Sequence, residues 1–122
     1  MKVLLVDDSS TMRRIQKNVL NGLGHTDIVE ADDGVSAQLK LERNQVDLIL
    51  LDWNMPNMDG LTFLRAIRES GVSTPVIMVT TEGQKENVLT ALQSGANSYV
   101  VKPFTPDVLI KRINDVMAKV NA

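Results

Sequence analysis

The sequence lacks several features that define major classes of protein. None of its 122 residues is cysteine, which excludes disulfides, thiolate metal sites and thiol chemistry. The formal net charge is only −2, so no excess of basic charge indicates nucleic acid or an anionic membrane as a partner. No apolar run approaches the roughly 20 residues of a membrane span, and the first is too short for the core of a signal peptide. These absences predict a cytoplasmic protein.

The length and composition that remain are those of a single globular domain. A chain of 122 residues fits one domain, spanning 1–122, and is long enough to bury a core. The hydrophobic fraction of 43% and the charged fraction of 23% are ordinary for a soluble protein. Met1 stands just before the first apolar run, which favours a complete single-domain protein.

Short runs of valine, isoleucine and leucine recur without alternating with polar residues. This pattern is typical of strands buried on both faces, as in a parallel sheet covered by helices. The predicted strands are 2–6, 48–51, 76–79 and 99–101, with a weaker edge strand at 27–31.

Apolar residues at helical spacing lie between these runs. Residues 9–11 and Asp33 supply N-caps, Asp59 precedes the third helix, and Gly71 and Gly95 close the third and fourth. The expected buried positions are Met12, Ile15, Val19, Leu23, Val35, Leu39, Leu41, Leu61, Leu64, Ile67, Val88, Leu89, Leu92, Val108, Leu109, Ile113, Val116, Met117 and Val120.

Strict alternation of strands and helices predicts an α/β fold with right-handed crossovers, a flavodoxin-like (βα)5 doubly wound sheet. Ligands of such sheets bind at the carboxyl ends of the strands, where the winding direction reverses. Asp7 and Asp8 follow the first run, and Asp52 follows the third. Placing the reversal between these runs predicts the strand order 2-1-3-4-5.

Thr80 and Lys102 follow the fourth and fifth runs, so they should converge with the acids on one edge. Each residue alone is an ordinary strand-end or capping residue. Together, three carboxylates, a hydroxyl and an ammonium can bind a divalent metal and take up a phosphoryl group.

These motifs resemble the receiver domains of two-component response regulators, and most of all the single-domain chemotaxis members. The resemblance runs from Lys2 to about Lys119, and its motifs are 6–9, 52–56, 58–60, 78–80 and 99–104. It implies that Asp52 is the phosphoacceptor and that Thr80 and Lys102 hold phosphoryl oxygens. It also implies a cis peptide bond between Lys102 and Pro103.

The resemblance further implies a Mg²⁺ site. Asp8 and Asp52 would ligate the ion directly, Asp7 through water, and Asn54 through its backbone carbonyl. The side chain of Asn54, together with Glu82, would tune dephosphorylation.

Tyr99 occupies the position of the family's switch aromatic, whose ring turns inward on phosphorylation. Lys85 and Arg112 would lie beside it on the surface that changes.

The predicted protein is a monomeric switch that catalyses only its own phosphorylation and dephosphorylation. Its expected partners are a CheA-like histidine kinase, a FliM-like flagellar motor switch protein and, as an open addition, a phosphatase. Two alternatives stay open: a phosphorelay shuttle that passes the group to a histidine phosphotransfer protein, and a receiver fragment of a larger regulator.

A haloacid-dehalogenase-type hydrolase is disfavoured because Asn54 stands where that class needs a second acid. A flavin carrier is disfavoured because Asp7 and Asp8 would repel its phosphate.

Overall fold

Strands and helices alternate strictly along the computed structural model, which describes residues 1–121. The strands are β1 (Lys2–Val6), β2 (Asp27–Ala31), β3 (Leu48–Leu51), β4 (Val76–Thr80) and β5 (Ser98–Val101). The helices are α1 (Ser10–Gly22), α2 (Gly34–Arg43), α3 (Gly60–Glu69), α4 (Lys85–Gln93) and α5 (Pro106–Val120). All predicted strands are confirmed to within one residue at each end.

The strands form one parallel sheet in the order β2-β1-β3-β4-β5. This confirms the predicted flavodoxin-like α/β fold and the predicted strand order. Winding reverses between β1 and β3, which are paired neighbours with Val6 opposite Leu51. Residues that directly follow these two strands are therefore brought side by side at the carboxyl edge.

A hydrophobic layer on each face of the sheet holds the helices. On one face, α1 and α5 pack through residues such as Leu20 and Leu109. On the other face, α2, α3 and α4 pack through Ala37, Phe63 and Ala91. Since β3 and β4 contribute side chains to both layers, every residue in them is buried. Double-sided burial is the physical reason for their uninterrupted apolar sequence.

The predicted buried faces of α1, α2, α4 and α5 are wrong in part. Seven of the apolar side chains expected in the core are 40% to 50% exposed: Ile15, Val35, Leu39, Leu89, Leu92, Val108 and Val120. Fully buried alanines, Ala37 and Ala91, occupy the contact positions of α2 and α4, and the polar Gln16 is buried on α1. Small residues let a helix approach the sheet closely, so larger apolar residues beside them stay at the surface.

Side-chain N-caps begin the helices, and glycines follow their ends, as the sequence predicts. Ser9, Asp33 and Asp59 each accept a hydrogen bond from a first-turn backbone N–H of α1, α2 and α3. Gly71 and Gly95, after α3 and α4, have φ angles of 88° and 112°, a region that glycine enters without a steric cost. Within residues 1–121, no helix has both the length and the apolarity to cross a bilayer.

Candidate functional site

Three carboxylates meet at the carboxyl edge of the sheet. Asp7 and Asp8 follow β1, Asp52 follows β3, and one oxygen from each lies within 4.8 Å of the other two. Asp7 and Asp52 are only 1% and 6% exposed, whereas Asp8 faces solvent. The backbone N–H of Asp52 donates to the Val6 carbonyl at 2.8 Å, so sheet hydrogen bonding sets this spacing. The structure thus brings together the acids that the strand order predicted.

Lys102 reaches two of these acids from the end of β5. Its Nζ atom lies 2.6 Å from Asp7 Oδ2 and 3.4 Å from Asp52 Oδ2. The Lys102–Pro103 peptide bond is cis, as predicted. The backbone N–H of Lys102 donates to the Thr80 carbonyl at 2.8 Å, which places this residue beside the end of β4.

The electrostatic environment of Asp52 disfavours its charged form. Burial is the largest influence and raises the pKa of Asp52 above its ordinary value of 3.8. The Lys102 ammonium opposes this rise in pKa, while the Asp7 carboxylate adds to it. The Trp53 N–H, 2.8 Å from Asp52 Oδ1, favours the ionised form. A buried acid with a raised pKa beside other charges is typical of a functional site.

The donor atoms at this edge fit a hard divalent cation. Carboxylate oxygens are preferred Mg²⁺ ligands, and one or two carboxylates with waters and phosphate oxygens complete its usual shell. Asp7, Asp8 and Asp52 supply such oxygens, and a cation among them would relieve their mutual repulsion. Asn54, whose carbonyl was predicted as a further ligand, lies two residues after Asp52 in the loop between β3 and α3.

Thr80 and Glu82 connect this edge to the neighbouring loops. Thr80 is fully buried, and its Oγ1 accepts a long hydrogen bond of 3.3 Å from the Glu82 N–H. The Glu82 carboxylate accepts hydrogen bonds from the side-chain amides of Asn54 at 2.8 Å and Asn87 at 3.4 Å. The loop after β4 is therefore tied both to the loop after β3 and to α4.

Tyr99 is tied to the same loop. Its hydroxyl donates to the Glu82 backbone carbonyl at 2.5 Å, and its ring is half-buried. Burial, followed by the nearby charges of Glu82 and Asp52, raises the pKa of Tyr99 to about 12. Thr80, Glu82 and Tyr99 thus form a continuous hydrogen-bonded chain from the end of β4 to β5.

Lys85 and Arg112 lie away from the acids, on the exposed side of α4 and α5. Arg112 and Tyr99 line a groove of about 280 Å³ that also includes Leu92. Lys85 begins α4 and does not line the groove. The structure brings Tyr99 and Arg112 together, and leaves Lys85 as a separate charge on the same surface.

Sequence reasoning missed two residues that shape the site. Arg13 donates from Nη1 to the Asp7 carbonyl at 2.6 Å and from Nε to Glu30 at 2.9 Å. A Cβ atom on Gly60 would lie 1.9 Å from the Asp52 carbonyl oxygen, so only glycine fits there. The Asp59-Gly60 pair marked a helix start but carried no sign of this close approach. Nothing local in the sequence pairs Arg13 with Glu30.

The sequence and the fold of this chain are similar to those of known proteins. A family model described as the response regulator receiver domain matches residues 3–114. A chemotaxis protein CheY homolog of Campylobacter jejuni is 52% identical over 120 residues, covering 96% of this chain and 92% of its own. Chemotaxis protein CheY1 of Helicobacter pylori is 50% identical over 120 residues, covering 96% and 97%. The CheX-CheY-BeF3-Mg+2 complex of Borrelia burgdorferi contains a chain with a TM-score of 0.92 and 32% identity, covering 96% and 89%.

Proposed function

Because this chain belongs to the response regulator receiver domain family, we propose that it is a phosphorylation-activated signalling switch. A histidine kinase donates a phosphoryl group from a phosphohistidine to the Asp52 carboxylate. The donor's P–N bond breaks as a P–O bond to Asp52 forms, and the imidazole leaves. The observation that carries this proposal is the cluster of Asp7, Asp8 and Asp52 with the Lys102 ammonium 3.4 Å from the acceptor.

Positioned charges at the carboxyl edge would supply most of the catalysis. A transferring phosphoryl group spreads negative charge over its equatorial oxygens, so the protein contributes chiefly by orientation and electrostatics. Lys102 already reaches Asp52 and would hold one of these oxygens. The Thr80 hydroxyl, at the end of the adjacent strand β4, would hold another.

Mg²⁺ would be held by Asp8 and Asp52 directly, by Asp7 through water and by the Asn54 backbone carbonyl. Bound there, it would neutralise charge on the transferring group. Support comes from the three convergent acids and from the raised pKa of Asp52, which burial and Asp7 produce together against the opposing effect of Lys102.

The chain of hydrogen bonds through Glu82 offers a path from phosphorylation to the surface. When Thr80 binds the phosphoryl group, its long contact with the Glu82 N–H would be given up. Tyr99 is bound to the carbonyl of that same residue, so its ring would respond. Phosphorylation would thereby shift an existing equilibrium between two packings. Asn54, held by the Glu82 carboxylate, would influence how fast the phosphoryl group is hydrolysed.

The proposed target is a flagellar motor switch protein in the cytoplasm. Two relatives at 50% and 52% identity are named as chemotaxis proteins. The groove lined by Leu92, Tyr99 and Arg112, with Lys85 nearby, combines apolar surface with positive charge. An amphipathic segment that carries acidic residues would suit it. The Borrelia complex pairs a related chain with CheX, which supports a second protein partner here, and we assign it to dephosphorylation.

Intact-mass measurement after incubation with acetyl phosphate tests the phosphoryl transfer. Wild type should gain one phosphoryl group only with Mg²⁺, and Asp52→Asn should gain none. Asp32→Asn is the matched control, since Asp32 is an exposed acid that follows β2 at the same sheet edge, outside the cluster. An adduct that persists in Asp52→Asn would refute the acceptor assignment. Binding of a purified motor switch protein, with and without beryllofluoride, then tests the output.

A further inference from the structure

Arg13, at the end of the first turn of α1, bridges the acidic edge and the edge strand β2. Its Nη1 donates to the Asp7 backbone carbonyl at 2.6 Å, and its Nε donates to Glu30 Oε1 at 2.9 Å. Lys17 holds the other oxygen of Glu30 at 3.1 Å. The Arg13 side chain is only 17% exposed. Its guanidinium thus forms a salt bridge with Glu30 on one side and a hydrogen bond with the Asp7 backbone carbonyl on the other.

The hydrogen bond from Arg13 to the Asp7 carbonyl constrains the backbone at Asp8. The peptide unit that joins Asp7 to Asp8 is rigid and planar, so fixing its oxygen also fixes the plane that contains the Asp8 N and Cα atoms, from which the Asp8 side chain projects. Asp8 has little else to hold it: its side chain is exposed, and no hydrogen bond to its carboxylate occurs within residues 1–121. The Asp7 carboxylate, by contrast, is held by the Ser9 N–H at 2.9 Å and by Lys102 at 2.6 Å.

We propose that Arg13, anchored by Glu30, is a positioning residue that aims Asp8 and thereby makes the cation site selective for Mg²⁺ over Ca²⁺. This inference rests on the proposed function, since it assumes that the three acids bind a divalent ion. Mg²⁺ demands near-octahedral geometry at about 2.0–2.1 Å, whereas Ca²⁺ accepts longer distances and variable geometry. A loosened Asp8 should therefore weaken binding of Mg²⁺ more than binding of Ca²⁺.

The charge of Arg13 acts in the opposite direction from its geometry. A guanidinium near the site repels any cation, so its removal on electrostatic grounds would tighten the binding of both ions. Mg²⁺ and Ca²⁺ carry the same charge, and this contribution therefore cancels in the ratio of their dissociation constants. That ratio separates positioning from electrostatics.

The experiment measures the dissociation constants of Mg²⁺ and Ca²⁺ by titrating each ion into the full chain. Binding is monitored by the fluorescence of Trp53, the single tryptophan, which adjoins Asp52. Loss of an outer contact to a metal site typically costs about 10–100-fold in affinity. Arg13→Gln should raise the Mg²⁺ dissociation constant about 10-fold, with a smaller change for Ca²⁺. Arg13→Lys keeps the charge but cannot bind Asp7 and Glu30 through separate guanidinium nitrogens, so it should also raise the Mg²⁺ dissociation constant. Glu30→Gln should raise this constant as well. Arg14→Gln, an exposed charge on the same helix, is the control.

Different results overturn different statements. Equal changes for both ions in Arg13→Gln, or wild-type Mg²⁺ affinity in Arg13→Lys, would overturn the positioning role. Wild type that binds neither ion would refute the proposed function and this inference with it, whereas tight binding by wild type and variants alike would refute the inference only. Thermal unfolding in EDTA identifies a variant that does not fold. If an Arg13 variant does not fold, the ratio of Mg²⁺ to Ca²⁺ dissociation constants in Glu30→Gln, which leaves Arg13 in place, tests the positioning role.

Discussion

Replacing Asp52 by asparagine should reverse the order of stability between two conditions. Without divalent cations the variant should be more stable than wild type, and with saturating Mg²⁺ it should be less stable. Asparagine has the shape of aspartate and keeps an oxygen for the Trp53 N–H, but it carries no charge. The buried wild-type carboxylate lies among two acids and one ammonium, and burial is the largest influence against its charged form.

The distances at the site allow this balance to be worked out. With an effective dielectric constant of about 20, Lys102 at 3.4 Å attracts the Asp52 carboxylate by about 5 kcal/mol. At the outer limit of 4.8 Å, Asp7 would repel it by about 3.5 kcal/mol. These two charges largely offset each other, and burial of the carboxylate, the largest influence on its pKa, sets the sign, with a net cost of about 1–2 kcal/mol for the charged form. Asp52→Asn should therefore raise the unfolding temperature in EDTA by about 4–8 °C.

Mg²⁺ should invert this difference by binding the folded wild type. At about 100 times its dissociation constant, an ion stabilises the folded state by about 2.7 kcal/mol, and Asp52→Asn lacks a ligand for it. Urea unfolding followed by far-ultraviolet circular dichroism, in EDTA and in saturating Mg²⁺, measures both effects. Asp32→Asn should show no inversion. A variant less stable than wild type in EDTA would show that Lys102 outweighs the cost of burying the charged carboxylate and would refute the reasoning.

Four further predictions follow from single sites. The pKa of Asp52 is raised by burial, against Lys102 and with Asp7, so the contribution of Asp52 to stability in EDTA should fall as pH rises above 3.8, and the difference in stability between wild type and Asp52→Asn should vanish as pH is lowered; a constant difference in urea titrations would contradict this. The single tyrosine, Tyr99, with its pKa raised to about 12, should titrate near there by ultraviolet absorbance, and stability should decline above pH of about 10, where only the unfolded chain ionises. Lys102→Ala should still be phosphorylated but should not gain target affinity, and normal target binding would remove Lys102 from the switch. Gly60→Ala should lower the free energy of unfolding by about 3 kcal/mol or more, whereas Gly22→Ala, with nothing within 4 Å of its new Cβ, should be neutral or stabilising by about 0.5–1 kcal/mol.

Individual elements show where sequence patterns carried the prediction and where they failed. β3 and β4 were predictable because burial on both faces leaves no place for polar residues. The face of α1 was not: Ile15 is 40% exposed, while Gln16, one residue later, is 1% exposed. Helical periodicity identifies a face only to within a residue or two, and the neighbouring sheet and α5 select which side chains are covered.

The sequence by itself determined the alternation of strands and helices, the strand order and the placement of Asp7, Asp8 and Asp52 at one edge. Apolar runs mark buried strands, and the acids after the first and third runs place the reversal of winding between them, from which the strand order was inferred. Only the tertiary structure decided that Lys102 pairs with Asp7, 95 residues away, that Glu82 links Asn54 to Tyr99, and that Arg13 meets Glu30. Such contacts depend on the register of the strands and the packing of loops against one another, and no local pattern of residues records either.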